Sequence, residues 1–344
     1  MSNKTVGVLG AGSFGTAVAN ILATNAELLL YVRNSDTMDQ IAETRKSAGQ
    51  EISERITVTN DLEEVALKCN VIFPVVPSSN FRELILQLAP YLRPYHMMIH
   101  ATKGLDLQLP EVQGPDFILT KEHVFTMSEI IRQETVVVRV GCMAGPNLAS
   151  ELATGHPAAT VIASPFTEVI QEGKRLLSSE NFQVYSNSDL RGVELCGVLK
   201  NIIAIASGIL SGLGMGENSR GLLVSRGLVE MIYLGQSLGG ELSSFIGLAG
   251  IGDLVATTTS TNSRNYTLGY KIAEGKTLDE ALSEMEEVAE GINTIKIIKQ
   301  LADSQGLKPL ITEILYKILF EGMTAENGVN FLMRYQGNID IDFL

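Results

Sequence analysis

Thr5-Val6-Gly7-Val8-Leu9-Gly10-Ala11-Gly12-Ser13-Phe14-Gly15-Thr16-Ala17 decides how the first half of this chain folds. Thr5–Leu9 is a short apolar run with β-branched residues, the texture of a buried strand. Gly10, Gly12 and Gly15 follow at the G-x-G-x-x-G spacing, and an apolar helical pattern begins directly behind them. Each glycine has its own task in that setting. Gly10 permits the tight turn, Gly12 lets backbone N–H groups approach a pyrophosphate, and Gly15 allows close helix–strand packing. Ser13 and Phe14 open the helix, whose first-turn amides lack partners and suit an anion. A bare glycine pattern says little. Its position between a strand and a helix makes it a dinucleotide-binding turn.

Outward from this turn, short strands alternate with helical stretches. A helix is expected over 13–25, with Phe14, Val18, Ile21 and Leu22 on one side, and a strand over 28–32. Asn60-Asp61 opens a helix over 62–68, with Asp61 as its cap. Further strands are expected at 70–76, 97–101, 135–140, 160–163 and 182–185, and Pro74 marks a bulge or a strand end. Such alternation predicts an α/β, doubly wound (Rossmann) parallel-sheet domain over 1–188. From 189 to 344 strand signals nearly vanish, and helical patterns at 192–210, 220–238, 278–290 and 294–303 predict an all-α C-terminal domain.

A chain of 344 residues is consistent with two domains, since single cores stop growing at roughly 250–300 residues. The composition, 45% apolar and 19% charged, is that of a folded soluble protein. The most apolar run, 195–215, is interrupted by Lys200, Asn201 and several Gly and Ser, which argues against a membrane span. The N-terminus carries no charged-then-apolar leader pattern. Cys69, Cys142 and Cys196 form no CxxC pair, which suits a reducing cytoplasm. The net charge of −13 argues against nucleic-acid binding. His96, His100, His123 and His156 include no i,i+4 pair, and no metal site is read.

Three places carry chemistry. Tyr31-Val32-Arg33-Asn34 ends the second strand, where an acidic residue would hydrogen-bond a ribose 2′-OH; Arg33 instead suits the 2′-phosphate of NADPH, or is simply solvated. Lys200 is the only charged residue between Leu195 and Met215, with Cys196, Gly197, Ile203 and Ala204 as its helical neighbours. Burial would lower its pKa toward neutrality, as a general acid/base at a carbonyl carbon requires; a lysine snorkelling from an apolar helix reads the same. Asn262-Ser263-Arg264-Asn265 is dense in donors, and Arg264 could fork onto phosphate oxygens, although the stretch alone reads more readily as a polar loop or helix start. Gly250-Ile251-Gly252-Asp253 is preceded by no strand and has Val255 in place of a third glycine, so it reads as a helix joint presenting Asp253. Lys103, in His100-Ala101-Thr102-Lys103-Gly104, and the stretch Gly145-Pro146-Asn147 both lie beyond expected strand ends, the edge where open α/β sheets bind ligands.

In order, Gly10 to Ala17, Val75-Val76-Pro77-Ser78, Ala101-Thr102-Lys103-Gly104-Leu105, Ala144-Gly145-Pro146, Leu199-Lys200-Asn201-Ile202-Ile203-Ala204, Gly252-Asp253-Leu254, Ser263-Arg264-Asn265 and Glu290-Gly291 form a recognisable set. The chain resembles the bacterial NAD(P)-dependent glycerol-3-phosphate dehydrogenases over essentially its whole length. The resemblance implies reduction of dihydroxyacetone phosphate to sn-glycerol 3-phosphate by NADPH or NADH, feeding glycerophospholipid synthesis in the cytoplasm, and a homodimer. It implies cofactor contacts from Ser13, Phe14, Arg33, Lys103, Ala149, Arg264, Val288 and Glu290. Substrate contacts would come from Lys103, Gly145, Asn147, Asp253, Ser263, Arg264 and Asn265, with Lys200 handling the proton. Asn147 stands where the family usually has Ser or Thr, Leu148 where Phe is usual, and Ser150 where Lys is common.

Two other classes compete. A two-domain dehydrogenase of carboxylate-bearing hydroxy or oxo acids also binds an anion; Ser263-Arg264-Asn265 together with Lys200 argues for the phosphate instead. A non-catalytic redox-sensing dinucleotide binder would need no proton-handling lysine.

Overall fold

The structure, a computed structural model, describes residues 5–110, 117–285 and 289–334. Eight strands form one sheet: β1 (Thr5–Leu9), β2 (Leu28–Tyr31), β3 (Ile56–Thr59), β4 (Cys69–Pro74), β5 (Met97–His100), β6 (Arg139–Ala144), β7 (Ala158–Ala163) and β8 (Phe182–Asn187). Their spatial order is β8-β7-β6-β5-β4-β1-β2-β3. From β3 to β6 all neighbours run parallel, so the carboxyl ends of six strands share one edge. The sheet is not parallel throughout: β7 lies antiparallel to β6, and β8 follows β7. Central strands such as β1 and β5 are buried along nearly their whole length, which is why they read as continuous apolar runs.

Helices α1 (Ser13–Ala23), α2 (Ser35–Thr44), α3 (Leu62–Lys68), α4 (Ser78–Leu88), α5 (Met127–Glu134), α6 (Ala149–Ala153) and α7 (Thr167–Leu177) accompany the sheet. Asp61 caps α3, its carboxylate accepting from the Glu63 and Glu64 amides at 2.8 and 3.2 Å. After α8 (Leu190–Gly212) come α9 (Glu217–Ser237), α10 (Leu242–Phe245), a π-turn over Leu248–Gly252, α11 (Asp253–Thr259), α12 (Arg264–Ala273), α13 (Leu278–Ser283), α14 (Gly291–Gln305), α15 (Leu310–Phe320) and α16 (Ala325–Arg334). The chain forms two compact units. One runs through Asp106 and resumes over Thr126–Leu190; the other combines Leu107–Phe125 with Arg191 onward. The strip Leu107–Phe125 thus departs from the contiguous ranges 1–188 and 189–344.

Several expectations shift. The strand expected at 135–140 begins at Arg139, because the Thr135 hydroxyl accepts from the Val137 amide at 3.0 Å and turns the chain. Val136 and Val138, which suggested a strand, are 53% and 58% exposed. The helix expected over 278–290 stops at Ser283; Glu284 beyond it pairs with both Lys271 and Lys276 at 2.5 Å, which holds its carboxyl down at about 2. Pro74 ends β4, and the Val75 amide donates to Leu9 O at 2.8 Å just past it. The edge strand β3 and a small hairpin, Lys46–Ser47 with Gln50–Glu51, are not among the strands expected from the sequence; the hairpin carries no apolar residue on its strands.

By length and hydropathy α8 could cross a membrane despite Lys200 and Asn201, with a mean hydropathy of 1.7. Its apolar stretch is instead entirely buried within the protein. The second segment that qualifies, Leu242–Thr259, is only 44% buried. At the N-terminus of α15, the buried Glu230 carboxylate accepts from the Ile311 and Thr312 amides at 2.7 and 2.9 Å and from the Thr312 hydroxyl at 2.7 Å. Burial pushes this carboxyl up from its ordinary value, against the pull of those donors.

α8 and α12 meet backbone to backbone. A Cβ on Gly208 would lie 2.0 Å from Tyr266 O, and one on Gly269 would lie 2.0 Å from Ile205 O. This crossing fixes the N-terminus of α12, with Arg264 and Asn265, relative to the helix that carries Lys200. Gly269→Ala should separate the helices and destabilise the protein by roughly 1–3 kcal/mol, a loss to be read from chemical denaturation with m unchanged.

Candidate active site

Gly10 takes φ +116°, and a Cβ there would sit 2.3 Å from Val75 O, so only glycine makes this turn. A Cβ on Gly15 would meet Gly10 O at 2.0 Å, whereas a Cβ on Gly12 would meet nothing within 4 Å. Gly12 is the N-cap of α1 and, having no side chain, supplies no side-chain acceptor to the start of the helix. Closed behind and open in front, the turn fits the pyrophosphate of a dinucleotide. Phe14 packs partly against the sheet core, as does Leu152 of α6, the short helix that Ala149 opens.

Arg33 is exposed two residues past β2, and Asn34 beside it caps α2 by accepting from the Thr37 amide at 2.9 Å. Past β5 the half-buried Lys103 donates from Nζ to Gly145 O at 3.1 Å, past the end of β6. Gly145, at φ +148°, has its Cα face against Ala159 O and Thr160 Cα. Asn147 is 8% exposed; its Nδ2 donates to Pro146 O at 3.1 Å and to Ala159 O at 3.0 Å. Those two carbonyls fix the amide's orientation and leave Oδ1 buried with no donor facing it. Lys103, Gly145 and Asn147 therefore converge at one end of the sheet, an ammonium beside an acceptor oxygen.

In the other unit, Lys200 is 5% exposed and does not snorkel. Its Nζ lies 2.6 Å from Asp253 Oδ1 and donates to Thr257 Oγ1 at 2.5 Å. Asp253, 2% exposed, stands where the π-turn passes into α11, so the joint read in the sequence does present this carboxylate. The Thr257 hydroxyl donates to the Asp253 backbone carbonyl at 2.6 Å, which turns its lone pair toward Lys200. An unpaired ammonium at this depth would be expensive; the carboxylate and the hydroxyl make it tenable. Sequence reading missed Thr257, since a threonine in Ala256-Thr257-Thr258-Thr259 reads as ordinary helix surface. Its spacing of four from Asp253 was the available signal.

Ser263 caps α12, with Oγ accepting from the Tyr266 amide at 3.3 Å, and Arg264 is exposed at the first helical position. Asn265 is buried, and its Oδ1 accepts from the Gly291 amide at 2.9 Å. A Cβ on Gly291 would strike Ile205 Cδ1, Asn265 Oδ1 and Asn201 O at 2.7, 2.8 and 3.0 Å. Glu290, next to it, is thereby held near α8 and α12. Val288 lies outside the described residues.

The N-terminal model of the NAD-dependent glycerol-3-phosphate dehydrogenases matches residues 5–169, and the C-terminal model matches 189–330. A glycerol-3-phosphate dehydrogenase (NAD(P)+) of Teredinibacter turnerae is 39% identical, covering 98% of this chain and 96% of the relative. One from Carboxydothermus hydrogenoformans is 39% identical with both chains fully covered. Among solved structures, the glycerol-3-phosphate dehydrogenase of Coxiella burnetii superposes with a TM-score of 0.86 at 32% identity, over 96% of this chain and 99% of that one. A glycine turn open to an anion, a buried lysine–aspartate pair and this likeness along the whole chain agree: the protein belongs to the NAD-dependent glycerol-3-phosphate dehydrogenase family.

Proposed function

We propose that Lys200 is the proton donor and acceptor with which this oxidoreductase interconverts dihydroxyacetone phosphate and sn-glycerol 3-phosphate. The observation that carries the proposal is the buried contact of Lys200 Nζ with Asp253 and Thr257. A bound NADH or NADPH supplies the hydride to substrate C2. Lys200 gives a proton to the C2 oxygen in reduction and takes it back in oxidation. Asp253 holds and aims the Lys200 amine, and Thr257 fixes its direction. Asp253 is thus a positioning residue for the proton as well as a candidate substrate contact.

Arg264 and Ser263 hold the phosphate at the start of α12, where the helix N-terminus adds favourable partial charge. Asn265 orients the Glu290–Gly291 turn. Lys103 donates to a substrate oxygen, and Asn147 Oδ1 accepts. An acceptor with no donor facing it favours a hydroxyl, such as the terminal one of dihydroxyacetone phosphate, and repels a carboxylate. That polarity supports the phosphorylated ketone over a 2-oxo acid. Gly10, Gly12, Ser13, Phe14, Gly15, Arg33 and Ala149, with Val288 and Glu290, are assigned to the cofactor. Residues 1–188 carry the glycine turn for the dinucleotide and add Lys103, Gly145 and Asn147 for the substrate, while 189–344 carry Lys200, Asp253 and the phosphate contacts and add Arg264, Val288 and Glu290 for the cofactor. The enzyme acts in the cytoplasm as a homodimer and feeds glycerophospholipid synthesis.

Lys200→Ala should lower kcat by roughly 10²–10⁴-fold, the usual share of general acid–base catalysis, while the Kd for NADH from fluorescence titration stays unchanged. Normal turnover at saturating cofactor refutes the assignment. Arg264→Ala should raise KM for dihydroxyacetone phosphate by roughly 10- to 150-fold, the worth of one hydrogen bond to a charged group; an unchanged KM removes Arg264 from the phosphate site. Arg33→Ala should reduce kcat/KM with NADPH while sparing NADH, and equal effects on both cofactors would mean that Arg33 does not read the 2′-phosphate.

A further inference from the structure

We propose that Ser47 is a positioning residue for the cofactor, through a hydroxyl relay that turns one peptide of the glycine loop so that its N–H faces the anion. Nothing in the sequence pointed to the stretch Arg45-Lys46-Ser47-Ala48-Gly49-Gln50. In the structure it is a tight hairpin pressed against the glycine turn. Ser47, 2% exposed, donates from Oγ to Ala11 O at 3.0 Å. Thr16, fully buried on α1, donates to Ser47 Oγ at 2.9 Å. Thr16 Oγ1 also reaches Ala11 O directly at 3.4 Å, a longer contact than the one to Ser47, and the Ser47 proton is directed to that same carbonyl.

Peptide geometry gives this relay its consequence. In a trans peptide the C=O and the following N–H point in opposite directions. Fixing Ala11 C=O toward the hairpin therefore turns the Gly12 N–H away from it. Gly12 is exposed, with nothing within 4 Å of the position its Cβ would take. A flipped peptide would instead present the carbonyl oxygen to an incoming pyrophosphate and repel it. The hairpin is well placed to hold that orientation. Gln50 Nε2 donates to Ser13 O at 2.9 Å, and Asn20 of α1 binds Glu51 O at 2.8 Å and the Ser53 amide at 3.0 Å. Arg45, the left-handed C-cap of α2, donates to Ser53 O at 2.5 Å and Ile56 O at 3.0 Å. Ala48 and Gly49 both have positive φ, +47° and +77°, as a two-residue type I′ turn requires. The Ala48 strain in that turn is accepted in order to bring Ser47 and Gln50 to the loop.

The inference rests on the dinucleotide reading of the glycine turn, and the test separates the two. Kd values for NADH and ADP-ribose are measured by titration for the wild type, Ser47→Ala, Ser47→Thr, Gln50→Leu and Gly12→Val, with thermal melts on each. Ser47→Ala should weaken both ligands by roughly three- to tenfold, the value of one buried hydrogen bond. Ser47→Thr, which keeps the hydroxyl, should restore most of the loss. KM for dihydroxyacetone phosphate at saturating cofactor should not move. Gln50→Leu should show a smaller loss of the same kind, and it serves as the working variant if Ser47→Ala does not fold. Wild-type Kd values in both Ser47→Ala and Gln50→Leu overturn the relay, as does a loss that Ser47→Thr fails to restore. If Gly12→Val binds NADH as tightly as the wild type, the glycine-turn reading itself fails; if it loses NADH while Ser47→Ala does not, only the relay fails.

Discussion

An ammonium buried in an apolar helix needs a partner at hydrogen-bond distance, and the helical unit is built around meeting that need. Lys200 is tied to Asp253 and Thr257 on α11, and two turns further along α8 the Ser207 hydroxyl donates to Thr258 O at 2.7 Å. Two polar ties thus run between α8 and α11, embedded in packing that is otherwise apolar. Replacing such a pair with hydrocarbon would often cost a protein nothing in stability. A buried pair of this kind suits the proposed chemistry, since a greasy isostere cannot hand over a proton. The π-turn ahead of Asp253 fits the same picture, since extra backbone in a helix re-aims the side chain at its end.

In the sheet unit, the hydrogen-bonding character of each polar side chain is set by which of its atoms are already occupied. Lys103 and Asn147 offer a ligand opposite hydrogen-bonding characters within one short stretch of sheet edge. Asn147 can do so only because Pro146 O and Ala159 O consume both of its amide protons. A serine at that position could rotate and serve as donor or acceptor; the asparagine is committed. The departure from the usual family residue therefore changes the hydrogen-bonding character of this position.

Much of this was legible in the sequence because local and global signals agreed. The strand Thr5–Leu9, the glycine turn and the Asp61 cap depend on neighbours within a few residues, and each appears where composition places it. Lys200 stood out because a lone charge in a long apolar run needs an explanation. The errors came where two codes overlap. Val136-Val137-Val138 has the composition of a strand, yet the Thr135 hydroxyl turns the chain there and the strand starts at Arg139. Thr257 and Ser47 escaped notice because their importance comes from partners 57 and 36 residues away. Pattern reading over short windows cannot register such pairs.

Leu107–Phe125 belongs with the helical unit although both of its flanks belong to the sheet unit. As the chain leaves the ribosome, that strip emerges before β6, β7 and β8 exist to complete the sheet, and well before the helices it will join. The sheet unit has all its residues once Leu190 is made, whereas the strip waits for Arg191 onward. A gene cut at the apparent junction near 190 would release a first fragment carrying a stranded piece of the second, and a second fragment missing part of its own body. The line that divides this protein in space is therefore not the one that divides it in sequence.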